Sequence, residues 1–175
     1  MNLLEVIKDV FKPFLDGEKP PLHVGEVMNL WFFLAVSEQT IRGEQVAINT
    51  VQDEDLKKHL QELMDIHSEI RKDIIGFLQK EGVPLPETTP PKKQGDFESI
   101  PADAKLSDQE AAQLVSENLV VAMTMAARGI TEAVRTDVGA MFAKFFMSKV
   151  TFGITYKAFL QKKGWLLVPP PFKIT

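Results

Sequence analysis

Apolar residues recur at helical spacing through four long stretches of the chain, and each stretch carries its own start and stop signals. In 23–49, Val24, Val27, Met28, Trp31, Leu34, Ala35, Ile41 and Ile48 form one such stripe. In 53–81 the stripe is Leu56, Leu60, Leu63, Ile70, Ile74 and Phe77. Asp53 is placed to cap it, Glu54 and Asp55 suit the first turn, and Gly82 with Pro84 ends it. In 107–134 it is Leu114, Val121, Ala122 and Met125, opened by Ser107 with Glu110 three residues on, the pattern of a capping box. In 137–163 it is Val138, Met141, Phe142, Phe145, Phe152 and Phe159, with Thr136 or Asp137 as the cap and Gly164 as the stop. A shorter amphipathic stretch, 3–15, presents Leu4, Ile7, Val10, Phe11 and Phe14. Pro13 disfavours a helical Lys12, and Gly17 with Pro20-Pro21 separates this stretch from the rest. The tail, 165–175, contains Pro169-Pro170-Pro171 and predicts extended chain.

Loop lengths then select a topology. Four helices of ~27 residues would each be roughly 40 Å long, and matched lengths favour a bundle. The first and third connections are short, which makes two antiparallel hairpins. The middle connector, 82–106, holds Pro84, Pro86, Pro90, Pro91, Pro101 and Gly95. At ~3.3 Å per extended residue it can span a whole helix. An up-down-up-down bundle would leave it as a long idle loop, which is uncommon in a compact domain. The expectation is therefore an all-α, ferritin-like four-helix bundle over 1–175. It has one long crossover between helices two and three, a short N-terminal helix and an extended C-terminal tail.

Composition narrows the chemistry. The chain has 175 residues, 45% of them hydrophobic, which is sufficient for one domain with its own core. The net charge of −4, with both signs interspersed, leaves no electrostatic footprint for nucleic acid. The absence of cysteine excludes disulfides, thiolate catalysis and cysteine-bound zinc. Glu5, Lys8 and Asp9 interrupt any apolar leader, and the apolar run Val27–Val36 falls short of the ~20 residues of a membrane span. A cytoplasmic protein is expected.

A bundle of this type often holds two metals, through a Glu from each of two helices and a Glu-x-x-His from each of the others. Only fragments of that set occur. Glu38 lies on the first stripe and His67 on the second, but Met64 stands where the motif needs a Glu. Glu117 on the third helix can reach the same level under the crossover. The fourth helix offers no Glu or His, only Lys149. Glu38, His67 and Glu117 are thus candidate ligands for iron or manganese. The primary expectation is a buried polar network without a cofactor, Glu38 accepting from His67, Arg42 or Lys149, because an unpaired buried carboxylate is costly. His23 and Glu26 read as an ordinary helix start. His59, among Lys57 and Lys58, reads as solvated, and Tyr156 as a core-edge residue with a wet hydroxyl. No Ser/His/Asp motif or phosphate loop is present, so catalysis is not expected. Met28, Met64, Met123, Met125, Met141 and Met147 would give a pliable interior, which leaves a lipid or aromatic ligand as a minor alternative.

Four segments resemble one family: GEVMNLWFFLAVSEQ on the first helix, KEGVPLPE after the second, VRTDVGAMF into the fourth and FLQKKGWLLVPPPF at the end. It is an uncharacterised ferritin-like family of spore-forming bacteria related to spore coat protein F. The resemblance covers about 20–172 and rests on the order and spacing of the segments. It implies a helical bundle associated with sporulation or the spore coat, and no established reaction. Many members carry the domain twice; a single copy implies an open pairing surface, hence a homodimer, with other spore coat proteins as further partners.

Overall fold

The computed structural model describes residues 19–172, so the expected short helix at 3–15 lies outside the described residues. Four long helices carry the fold: α1 Val24–Thr50, α2 Glu54–Lys80, α3 Asp108–Glu132 and α4 Thr136–Lys163. There is no strand among the described residues. The connector is extended apart from two short 3-10 turns, Phe97–Ser99 and Ala102–Ala104.

Local chemistry fixes most helix ends. The Asp53 carboxylate accepts from the Asp55 and Leu56 amides at 3.0 Å each, and Ser107 with Glu110 forms a reciprocal capping box. Gly164 ends α4 in the left-handed region, at φ 72°, where a side chain would be strained. The start of α4 departs from expectation. Its N-cap is Arg135, which makes no side-chain cap bond. The Asp137 carboxylate is drawn instead to the Arg135 guanidinium and to Lys19, both at 2.8 Å.

Contacts at the two ends give the direction of every helix. At one end, the Asp108 carboxylate at the start of α3 accepts from the Gln52 and Asp53 amides of the α1–α2 turn, at 2.7 and 3.0 Å. Lys163, at the end of α4, pairs with Asp53 there too. At the other end, Asn29 near the start of α1 donates to Glu132 at the end of α3, at 2.9 Å. Arg135, between α3 and α4, holds Glu81 just beyond α2 through two 2.8 Å bonds. Helices α2 and α3 therefore run parallel, and the connector must travel the length of the bundle. It does so along α1. Trp31 donates to the Pro84 carbonyl, Arg42 to that of Thr89 and Asn49 to that of Lys93, at 3.1, 3.0 and 3.0 Å.

The core is two apolar clusters. One gathers Leu56, Leu60, Leu63, Leu119, Phe152, Tyr156 and neighbours near the α1–α2 turn. The other gathers Leu30, Phe33, Leu34, Ile70, Ile74, Phe142, Phe145 and neighbours near the α3–α4 turn. The expected stripes of α2 and α4 face them, with Leu78 rather than Phe77 as the buried residue near the end of α2. Helix α1 corrects its expectation. Val24 is 85% exposed and Met28 52%, and Trp31 is exposed as well. The inner face is Glu26, Leu30, Phe33, Leu34, Ser37, Glu38, Ile41 and Glu44. This helix is apolar around most of its circumference, so periodicity cannot choose the face. On α3, Leu114 and Val121 are likewise exposed, and the inner face is mostly small residues, Ala111, Ala112, Ala122, Ala126 and Gly129, with Val115 and Leu119 between them.

Those small residues let α3 approach α4 closely. A Cβ added at Gly129 would stand 2.4 Å from the Phe142 ring, whereas one at Gly76 would meet open space. Gly129→Ala is expected to destabilise the protein by about 1–3 kcal/mol through overpacking. Gly76→Ala should stabilise it by roughly 0.5–1 kcal/mol through helix propensity. Urea midpoints of the two variants check the pair; equal midpoints would contradict the close approach.

Candidate functional site

Between the two apolar clusters lies a layer of buried charge. His67 sits on the α2 stripe between Leu63 and Ile70. Lys149 sits on the α4 stripe between Phe145 and Phe152, and Glu44 ends the inner face of α1. All three are buried, Lys149 completely. Glu44 Oε1 lies 2.8 Å from His67 Nδ1, off the line of a good hydrogen bond, and the Lys149 ammonium contacts His67 Nε2. Burial pushes Lys149 down to about 7, against the pull of the Glu44 charge. Burial also lowers His67; the Lys149 charge adds to that and the Glu44 contact opposes it. Three helices thus meet in one acid–imidazole–amine chain.

One turn toward the other end, Glu38 accepts from Arg42 at 3.3 Å and from Arg71 of α2. Beside it Asn118 of α3 donates to Thr40 at 3.0 Å. At the α3–α4 turn, Glu26 caps its own helix start by accepting from the His23 amide. Its other oxygen accepts from the Val134 and Arg135 amides at 2.9 and 2.7 Å. Arg135 there is buried in a double fork on Glu81 and Asp137; its bonds lower the Glu81 carboxyl, and against the opposing effect of burial Arg135 and Lys19 together hold Asp137 well below the usual carboxylate range.

The three candidate metal ligands are not brought together. Glu38 is committed to two arginines and His67 to Glu44 and Lys149, while Glu117 is exposed on α3. Among the described residues no group of three or more His, Asp or Glu is arranged to hold a metal. An ammonium, not a carboxylate, comes in from α4. These residues therefore do not fit the two-metal set of a carboxylate bundle. Glu38 and His67 do not meet, and Glu44, unnamed in the sequence reading, takes the place beside His67. The spacing Glu26, Leu30, Phe33, Ser37, Ile41, Glu44 runs at steps of three and four, so the signal was present but mixed acids with apolar residues.

Two aromatic-region expectations change as well. Tyr156 is buried and donates to the Ala112 carbonyl at 2.9 Å, and burial raises its phenol. His59 is only partly exposed and packs on the rings of Phe152, Tyr156 and Phe159. Tyr156 is part of the aromatic wall of α4, and His59 of α2 packs against that wall.

A cleft of about 470 Å³ opens between α1, α3 and the connector, close to the charged layer. Its walls include Val46, Leu60, Leu63, Leu106, Leu114 and Val115, with Gly43, Ala47 and Ala111 leaving the space. Glu44 contributes its stem; both carboxylate oxygens are shielded from solvent.

Fold and site together define an all-α bundle protein with a closed ionic centre and an apolar side cleft. The chain belongs to a family described as proteins of unknown function, DUF3231, whose family model matches residues 12–174. It is 31% identical over 150 residues to the uncharacterised protein YvdQ of Bacillus subtilis, covering 86% of this chain and 88% of that one. A crystal structure from Bacillus halodurans C-125, provisionally named a spore coat protein, superposes with a TM-score of 0.86. It is 31% identical and covers 89% of this chain and 98% of its own. A conserved hypothetical protein of Mycobacterium tuberculosis shares the fold alone, at a TM-score of 0.63 and 16% identity over 79% of this chain and all of its own.

The charged layer makes stability pH-dependent. The folded His67 ring holds a proton less tightly than the unfolded one, so unfolding takes up a proton as the pH falls through the ordinary value of 6.5. Stability is lost from there downward, until the buried ring itself protonates. Melting temperature should therefore drop between about pH 7 and pH 5, and His67→Gln should flatten that drop whatever its effect at neutral pH. Thermal circular dichroism of both proteins across the window checks this; an equally steep drop in the variant would count against it.

Proposed function

We propose that this is a non-catalytic, ferritin-like bundle protein of the spore coat or of sporulation. In this reading it is held in the cytoplasm before deposition and acts by self-association, as a homodimer, and by contact with other coat proteins. The pairing of two hairpins with a full-length connector supports the ferritin-like assignment. The Bacillus halodurans relative supports the coat association.

The observation that carries the reading is the outer face of α1. Val24, Met28, Phe32, Ala35, Gln39, Gly43 and Val46 follow one another at steps of three and four without a single charge. Phe32 and Met28 are each more than half exposed, as is Val24. An uncharged stripe running the length of a helix on the outside of a bundle is unusual for a monomer and marks a contact surface. A second copy of the same face is its simplest partner, since a twofold contact needs only self-complementarity.

The double variant Met28→Glu, Phe32→Glu tests this. Sedimentation velocity should give a dimer for the wild type and a monomer for the variant. Helical content should be unchanged, because both side chains lie on the outside of the single bundle. A monomeric wild type, or a dimer that survives the double substitution, would remove this face as the contact.

A further inference from the structure

We propose that the cleft between α1, α3 and the connector binds a single-chain anionic amphiphile, a medium-chain carboxylate. The cleft is a groove in the side of the bundle, floored by Leu60 and Leu63 of α2, which stay essentially inaccessible beneath it. The apolar residues that α1 brings to this level, Val46 and Ala47, are small, and Gly43 with Ala111 of α3 leaves further space. The size of the cleft falls within the range of small-molecule sites. Half-exposed Val46, Leu106 and Leu114 line the mouth, so apolar wall continues out to solvent.

Charge selects the head group. The acid in the wall, Glu44, turns both oxygens away toward His67 and out of reach. The cations at the rim are Arg42 and Lys92. Arg42 is largely engaged by Glu38, Gln45 and the Thr89 carbonyl. Lys92 is exposed, and its ammonium has no partner among the described residues. Gln39, Thr40 and Asn118 complete the polar lining and carry no charge. An apolar cleft with a free ammonium at its rim complements an alkyl chain ending in an anion. The connector is pinned beside it, since the Lys92 amide donates to Gln45 at 2.9 Å, so the ammonium is held near the opening.

The cleft mouth shares Gln39, Gly43 and Val46 with the far end of the outer stripe, whereas Met28 and Phe32, the residues that test self-association, lie outside its lining, so the two proposals are tested at different residues. The test is calorimetric titration of the full-length protein with decanoate, decanol and decylamine, below the concentrations at which they form micelles. Saturable one-to-one binding is expected, tightest for decanoate. Lys92→Glu should weaken decanoate by roughly tenfold while leaving decanol unchanged. Leu114→Trp should abolish binding of both by filling the cleft, with helical content and melting temperature retained because Leu114 is half exposed. Absence of saturable decanoate binding would overturn the proposal. So would decylamine binding as tightly as decanoate, or binding undiminished in Leu114→Trp, which would place the site elsewhere.

Discussion

Helix α1 carries three carboxylates on its inner face, and none of them can be left unanswered in an apolar interior. Removing a carboxylate from water costs several kcal/mol unless cations or N–H donors replace the lost hydration. Glu26, Glu38 and Glu44 are each buried. Glu26 is met by two backbone amides of the α3–α4 turn, Glu38 by Arg42 and by Arg71 of α2, and Glu44 by His67 of α2 with Lys149 of α4 behind it. Each answer comes at least in part from another element, so the three acids fix the height and rotation of α1 against the other helices. Sliding α1 by one residue would strand all three at once. The same logic extends to the bundle end, where Arg135 is buried between Glu81 and Asp137 and lies over the Phe77 ring.

The charged layer also separates the core. Leucines and aromatics fill the space on both sides, and Ile66 is the side chain that packs against both clusters. Apolar packing alone tolerates alternative registers among leucine-rich helices, because volume and pattern are conserved when a helix slips by a turn. A buried acid, imidazole and amine from three helices do not tolerate it. Lys149 cannot move one turn along α4 without leaving Glu44 and His67 unpaired, and its neighbours Phe145 and Phe152 would then enter a polar layer. We regard this exchange of stability for register as the role the layer is best suited to. A bundle with a metal pair would fix register through coordination; here an ammonium supplies the central positive charge from within the chain.

Much of the fold is legible in the sequence because its cues are local. Asp53, the Ser107–Glu110 box and Gly164 act within a few residues, the α2 stripe has a strongly polar opposite side, and the α4 stripe is marked by its repeated phenylalanines. The course of the connector follows from its length and its prolines. The inner faces of α1 and α3 are not legible in the same way. On α1, apolar residues occupy both faces, and the choice is made by Arg71, His67, Lys149 and the 134–135 amides, all of which are distant in sequence. On α3, Leu114 and Val121 face outward, while Val115 and Leu119 share the inner face with alanines and Gly129. The inner position there is decided by how near the α4 phenylalanines come, which no pattern within α3 encodes. The candidate site shares this history. His67 could be read from its stripe, but Glu44 could be found only after the face of α1 was known.

The outer surface of α1 follows from its inner one. A helix usually takes its place by burying its apolar side alone, but α1 is positioned by ionic and backbone contacts as well as by Leu30, Phe33, Leu34 and Ile41 on the side it buries. Its remaining apolar residues are then free to point outward without loss of folding specificity. The result is a helix with acids inside and Val24, Met28, Phe32 and Val46 outside. Below Ile41, where acids and small residues replace large apolar ones on its inner side, α1 no longer fills the bundle. The cleft over Leu60 and Leu63 opens at that height. An exposed apolar stripe and a side cleft are therefore two consequences of one arrangement: a helix whose inner face mixes acids with apolar residues has apolar surface and space left over, and both are available to something other than the chain's own core.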